Sequence, residues 1–174
     1  MNADYLRTAA LVAAFFLSAP SWAAIDEHPQ PKALTEAQET SIYALAYGQY
    51  GGAHGGMPMP ARPLVVVHSR EQICMTITKK PDCPYYGYYV DGGIVISKTL
   101  DFSSLIDASK LLHEYVHYLQ DQRLGVAKEG CEEWLEREWE AYFIQYNVLT
   151  KAGQYLAAQM VRGAAQQVRC VDSH

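Results

Sequence analysis

Two histidines and a glutamate stand at a chemically suggestive spacing in the stretch His113-Glu114-Tyr115-Val116-His117. Residues i and i+4 of an α-helix lie one turn apart on the same face, so His113 and His117 can direct their imidazoles at one metal ion. Glu114 is poorly angled for a third ligand but can reach a water on that metal. Two imidazoles that hold Zn²⁺ and a carboxylate that takes a proton from water are the parts of a zinc hydrolase.

Apolar side chains surround this motif on both sides. They are Leu111, Leu112, Tyr115, Val116, Tyr118 and Leu119. Because unpaired polar residues are costly in such surroundings, the pattern disfavours a chance match on a solvent-facing helix. We predict a helix over about residues 103–122, begun by Asp101, Ser103 or Ser104 and stopped by Gly125.

A third metal ligand is expected in the glutamate-rich helical segment that follows position 129. A catalytic zinc site typically takes three protein ligands and leaves one position for water. Glu138 is the preferred candidate because it shares a helix face with the small Ala141, which lets this helix approach the histidine helix closely. Larger apolar side chains crowd the face of Glu140, which remains an alternative, and Glu136 is a third candidate.

The first 23 residues resemble a signal peptide and are excluded from the fold. Arg7 precedes the apolar stretch 9–17, and Ser21-Trp22-Ala23 offers small residues at the two positions that a signal peptidase reads. The apolar stretch is too short to span a bilayer comfortably, although an uncleaved N-terminal anchor is an alternative. We expect an exported protein, periplasmic or secreted, with residues 24–174 as a single domain without a stable membrane anchor.

Charge and cysteine content agree with such a protein. A formal net charge of −5 without a basic cluster argues against nucleic acid or anionic lipid as a partner. All four cysteines follow the predicted signal peptide, and disulfides persist in an oxidising compartment. We favour the pairs Cys74–Cys83 and Cys131–Cys170 among the three pairings that four cysteines allow.

The first half of the domain is predicted to contain one helix and one strand. Thr35 and Gln38 resemble a capping box, and the helix is expected over about 36–49. The glycine- and proline-rich stretch 51–60 is interpreted as a loop; a soft-metal site built on its histidine and methionines is a weaker alternative. The β-branched run 64–67 predicts a buried strand.

A β-hairpin is predicted next, with Asp91-Gly92-Gly93 between the β-prone runs 85–90 and 94–97. Four tyrosines lie in its first arm, and core packing is favoured over a substrate-stacking role for them. The strand that leads into the histidine helix would place a sheet edge close to the site, where an extended peptide could add by main-chain hydrogen bonding.

The motif at 113–117, followed by Glu138-Trp139-Glu140-Ala141, resembles the HExxH…ExxA pattern of gluzincin metallopeptidases, the broad group that includes thermolysin. The resemblance implies Zn²⁺ bound by His113, His117 and Glu138, a zinc-activated water with Glu114 as general base, and hydrolysis of a peptide or protein substrate. It also implies an α+β, minimal zincin-like domain with an N-terminal helix, a small, mostly antiparallel sheet with a hairpin, the HExxH helix and C-terminal helices. Two features of metzincins are missing: the glycine seven residues after the first histidine, where this chain has Gln120, and the later third histidine.

Three points stay open at the level of sequence. The tetrahedral intermediate needs a donor beyond the metal, and Tyr142, Tyr146, His68 and Arg137 are all chemically able. A catalytically silent, zinc-binding exported domain that binds a protein partner is an alternative to the enzyme, although the presence of Glu114 favours catalysis. A metal-free envelope scaffold or inhibitor-like protein, held by its disulfides, is a second alternative.

Overall fold

The structure, a computed structural model, describes residues 33–126 and 130–169. Within these ranges the chain forms an α+β arrangement of five helices and a three-stranded mixed sheet. In chain order the elements are α1 (Glu36–Ala53), β1 (Leu64–His68), α2 (Arg70–Thr78), β2 (Gly87–Val90), β3 (Gly93–Ser97), α3 (Leu105–Leu124), α4 (Cys131–Lys151) and α5 (Tyr155–Ala165). The predicted signal peptide and Cys170 of the predicted Cys131–Cys170 bridge lie outside the described residues, so both remain predictions.

Helix α3 is the central element and carries the HExxH motif. It packs against α1, α4 and the sheet, and Leu111, Tyr115 and Leu119 are among its fully buried side chains. Ser104 is its N-cap, and it ends before Gly125, whose φ of 81° suits glycine. The predicted extent of this helix is confirmed.

Helix α1 begins at the predicted capping box and continues further than predicted. Thr35 accepts from the backbone N–H of Gln38, and the Gln38 side chain accepts from the backbone N–H of Thr35. The predicted end at position 49 is wrong, because the helix continues to Ala53. Its last turn buries Tyr50 completely in the core, and this packing outweighs the low helix propensity of the nearby glycines.

The sheet has the order β1-β3-β2, with β1 parallel and β2 antiparallel to β3. The prediction of a mostly antiparallel sheet is therefore wrong. Helix α2, which the sequence analysis missed, separates β1 from the hairpin and allows β1 to join β3 in parallel. A capping box formed by Ser69 and Gln72 starts α2 and was the signal that could have revealed it.

Strand β1 is an edge strand, contrary to the prediction that it is buried. Leu64 is 73% exposed and Val67 54% exposed, whereas Val65 packs against the core. The β-branched run identified a strand correctly, but it could not show whether the strand lies at the centre or the edge. The central position belongs to β3, which buries Ile94 and Ile96.

The hairpin between β2 and β3 is confirmed. Asp91 and Gly92 have φ values of 48° and 78°, the combination that a two-residue type I′ turn requires, and Val90 pairs with Gly93. β3, which leads into α3, has a neighbour on each side. Among the described residues, the unpaired edge of the hairpin therefore belongs to β2, and the expectation that placed an open edge on the strand before the histidine helix is corrected.

A disulfide joins Cys74 of α2 to Cys83, with 5.4 Å between the two Cα atoms. This bridge confirms one predicted pairing and fixes α2 to the segment that enters β2. No helix in the described ranges is both long and apolar enough to cross a membrane.

Candidate metal centre

Helix α3 brings the two histidines of the motif together. Their Nε2 atoms lie 3.1 Å apart, and the rings meet edge to face with centroids 4.8 Å apart. Both side chains are largely shielded from solvent. The spacing of one helical turn therefore produces the convergence that the sequence predicted.

Helix α4 adds Glu138 to this pair. Its carboxylate oxygens lie 3.4 Å from Nε2 of His113 and 3.2 Å from Nε2 of His117. A tetrahedral metal ion at about 2.0–2.1 Å from each ligand atom needs those atoms about 3.3 Å apart. The three residues thus lie close enough to bind one metal ion. Ala141, one turn further along α4, is completely buried in the core that α3 and α4 share, as the steric argument expected.

Glu140, the alternative ligand, contacts other residues. One of its oxygens pairs with Nε2 of His54, and the other accepts a 3.0 Å hydrogen bond from the Gln120 side chain. Glu136, the third candidate, is exposed. Of the three glutamates considered, the structure brings Glu138 to the histidines. His54, from the stretch interpreted as a loop, contacts Glu140 and not the three ligand residues.

Opposite charges stabilise each other at this centre. Burial alone would raise the pKa of Glu138, but hydrogen bonds from His113 and His117 hold that pKa well below its usual range. Burial would lower the pKa of His117, but its hydrogen bond with Glu138 and the negative charge of that residue raise the pKa overall. The same negative potential favours a cation between the three ligand atoms.

Glu114 is held between the centre and strand β2. The backbone N–H of Tyr89 donates to its carboxylate. A Cβ at Gly87 would be at ordinary contact distance, 3.5 Å, from Oε1 of Glu114 but only 2.9 Å from the carbonyl oxygen of Val95, so the neighbouring strand requires the glycine. Burial raises the pKa of Glu114. A shielded carboxylate with a raised pKa, adjacent in sequence to His113, can act as a general base.

Gln120 also belongs to this centre, although the sequence did not predict it. This residue is completely buried, and its Oε1 lies 2.9 Å from Nδ1 of His117. A glutamine three residues after the second histidine lies on nearly the same helix face, so its position was a usable signal.

Of the four candidate donors for an oxyanion, Tyr142 lies beside the centre. Its ring centroid is 4.4 Å from that of His113, and burial, together with the charges of Glu138 and Glu114, raises its pKa to about 12. Its hydroxyl therefore keeps its proton and can donate at neutral pH.

The other three candidates have different surroundings. Arg137 donates to Asp121, Glu133 and the carbonyl oxygen of Gly125, and so joins α4 to the end of α3. Tyr146 packs in a small cluster between α4 and α5, and His68 ends the edge strand β1.

The tyrosine-rich arm before and within β2 is divided between core and surface. Tyr89 packs against Tyr118 in the core, and the ring of Tyr86 faces the cations of Arg70 and Lys110. Tyr85 is 46% exposed. The favoured role in packing thus holds for some of these rings, and a surface role is open to Tyr85.

No protein-family model, curated protein or solved structure matches the chain.

Proposed function

We propose that this protein is a gluzincin-type zinc metallopeptidase with a zincin-like domain. The observation that carries the proposal is the convergence of His113, His117 and Glu138 at tetrahedral ligand spacing, with Glu114 beside them. Two imidazole nitrogens and one carboxylate oxygen are a ligand set that catalytic zinc uses, and three protein ligands leave one position for a reactant. A structural zinc site is usually closed by four protein ligands, so the set of three found among the described residues favours catalysis.

Glu114 is proposed as the general base. Bound zinc supplies Lewis-acid chemistry, since it polarises a carbonyl group and lowers the pKa of water. The Glu114 carboxylate accepts the proton of the attacking water and passes it to the leaving amine. The Tyr89 N–H holds this carboxylate in place.

Tyr142 is proposed as the donor to the developing oxyanion. Its ring lies against His113, and its raised pKa keeps the hydroxyl protonated. A donor that is already positioned does not have to reorganise during the reaction, and this makes its contribution large.

Strand β2 is proposed as the place where an extended peptide substrate adds. Within the described part of the chain, β2 has a neighbour on one side only, and the backbone of one of its residues, Tyr89, faces the Glu114 carboxylate. Main-chain hydrogen bonds to such an edge would place a scissile bond close to the base. The Cys74–Cys83 bridge supports an oxidising location for the enzyme, in the periplasm or outside the cell.

The test is cleavage of a mixed peptide library by the wild type, by Glu114→Gln and by Glu136→Gln as the control at an exposed glutamate. We expect Glu114→Gln to bind zinc like the wild type and to lose cleavage by about 10²–10⁴-fold, while the control cleaves normally. Equal activity of Glu114→Gln would remove this residue from the mechanism. Zinc binding without cleavage in the wild type would favour the catalytically silent domain, and a wild type without zinc affinity would favour the metal-free scaffold.

A further inference from the structure

A chain of three buried or half-buried polar side chains leads away from the candidate metal centre. Gln120 of α3 lies next to His117, Glu140 of α4 lies next to Gln120, and His54 at the end of α1 lies next to Glu140. None of these three residues belongs to the ligand set or to the reacting groups proposed above.

The amide of Gln120 has one permitted orientation. Its Nε2 lies 2.9 Å from the carbonyl oxygen of Arg137 and 3.0 Å from a carboxylate oxygen of Glu140. Both neighbours accept hydrogen bonds, so the NH₂ group must face them and the amide oxygen must face His117. The opposite orientation would bury an amide oxygen against two other oxygens and leave two acceptors without a donor.

This orientation fixes the proton on His117. Because Oε1 of Gln120 can only accept, Nδ1 of His117 must carry a proton and donate it over the 2.9 Å contact. In a neutral imidazole, Nε2 then keeps its lone pair, and Nε2 is the atom that faces Glu138 and His113. The contact between Nε2 and Glu138 uses the proton that a metal ion would displace, and the proton on Nδ1 stays in place when that one is lost.

His113 has no such support. Within the described residues, its buried Nδ1 has no hydrogen-bond partner, and its ring rests against Tyr142. Of the two histidines, His117 is therefore the one whose orientation a hydrogen bond to a described residue controls. His54 completes the chain on the other side, since its Nε2 reaches the Glu140 oxygen that Gln120 does not use, and its ring packs on Tyr50.

We propose that Gln120, Glu140 and His54 are positioning residues that hold His117 as its Nδ1–H tautomer and thereby set the metal affinity of the centre. The inference rests on the proposed function only in requiring that the centre binds metal; it does not require peptide hydrolysis. Hydrogen-bond partners behind a ligating histidine fix its tautomer, and their loss typically costs about 10–100-fold in metal affinity.

The first test compares Glu140→Ala with Glu136→Ala, which removes an exposed carboxylate one turn earlier on the same helix. Zinc affinity is measured by competition with a chromophoric chelator, and folding is checked by thermal unfolding of the metal-free proteins. We expect Glu140→Ala to lose about 10-fold in affinity and the control to lose none. Glu140→Gln should recover most of the loss, since an amide oxygen can still accept from Gln120. Equal affinities for the two alanine variants would overturn the proposal.

The second test detects the proton itself. In the zinc-loaded wild type, the Nδ1–H of His117 should give a slowly exchanging downfield proton signal coupled to a ring ¹⁵N. The signal should disappear or broaden in Gln120→Leu and persist in His54→Asn, whose affinity should fall less than that of Glu140→Ala. A zinc-loaded wild type that carries the proton on Nε2, or lacks an Nδ1–H signal, would overturn the proposal.

The outcomes separate this inference from the proposed enzyme. A protein that shows the Nδ1–H signal and the affinity ranking but cleaves no peptide would contradict the proposed hydrolase function and support the positioning role of the three residues. A protein that cleaves peptides but whose zinc affinity is unchanged by Glu140→Ala would support the hydrolase and contradict the positioning role.

Discussion

The most direct test of the ligand assignment is the effect of Glu138→Ala on zinc-dependent stability. A ligand that binds only the folded state stabilises it by RT ln(1 + [L]/Kd), which is about 2.7 kcal/mol when free zinc is 100 times Kd. The three ligand atoms come from two helices, α3 and α4, so zinc should join these helices and raise the free energy of unfolding. Alanine at position 138 removes the ligand that α4 supplies.

The expected magnitudes form a graded series. Losing a ligand should cost more than the 10–100-fold that an outer hydrogen-bond partner costs, so we expect Kd to rise at least about 100-fold in Glu138→Ala. At the same free zinc, the stabilisation then falls to about 0.4 kcal/mol. A 10-fold rise of Kd in Glu140→Ala leaves a stabilisation by zinc of about 1.4 kcal/mol. With roughly 4 °C per kcal/mol for a domain of this size, the zinc-induced rise in Tm is about 11 °C, 6 °C and 2 °C for wild type, Glu140→Ala and Glu138→Ala.

The assay is thermal unfolding followed by circular dichroism, with and without zinc in a metal buffer. The difference between the two conditions is the readout, because the substitutions also change the metal-free protein. A larger loss in Glu140→Ala than in Glu138→Ala would transfer the ligand role to Glu140. An equal rise in Tm for wild type and Glu138→Ala would refute the three-residue centre.

Two further predictions concern the surroundings of the base and the oxyanion. Gly87→Ala should destabilise the protein by about 1–3 kcal/mol, because its Cβ would lie 2.9 Å from the Val95 carbonyl oxygen. The control Gly93→Ala should cost less, since its Cβ meets backbone oxygens only at 3.7 Å. Urea unfolding measures the stability of both variants, and equal losses of stability would contradict the steric argument. Tyr142→Phe should lower kcat by about 10²–10³-fold with zinc affinity unchanged, while the control Tyr146→Phe keeps its kcat. Loss of activity only in the control would move the donor role to Tyr146.

Local patterns predicted the elements of this fold better than their arrangement. The capping box at Thr35, the turn at Asp91 and Gly92 and the apolar faces of α3 depend on neighbours within a few residues, and all three were found as expected. Helix α2 was missed because its β-branched and polar residues give weak periodicity, although its own capping box was visible. The end of α1 was misplaced because the burial of Tyr50 depends on a helix far away in sequence.

The arrangement of the sheet depended on contacts between distant segments. A run such as 64–67 favours a strand through its β-branched side chains, but the residue types alone do not show whether that strand lies at the centre or at the edge of a sheet. Pairing with β3 decided that β1 lies at the edge and runs parallel. In the part of the chain that the structure describes, the same pairing leaves β2 with an unpaired edge beside Glu114.

For the candidate centre, the sequence by itself determined the two histidines and the adjacent glutamate, because one turn of helix is a local geometry. It also narrowed the third ligand to the glutamates of α4 and favoured Glu138 among them, because the small Ala141 on its face lets the two helices approach closely. Only the tertiary structure brought Glu138 rather than Glu140 to the imidazoles, since the rotation of one helix against another depends on the whole packed interface. It alone also placed His54, Gln120 and Tyr142 around the centre, because side chains that meet from separate elements share no spacing in the chain.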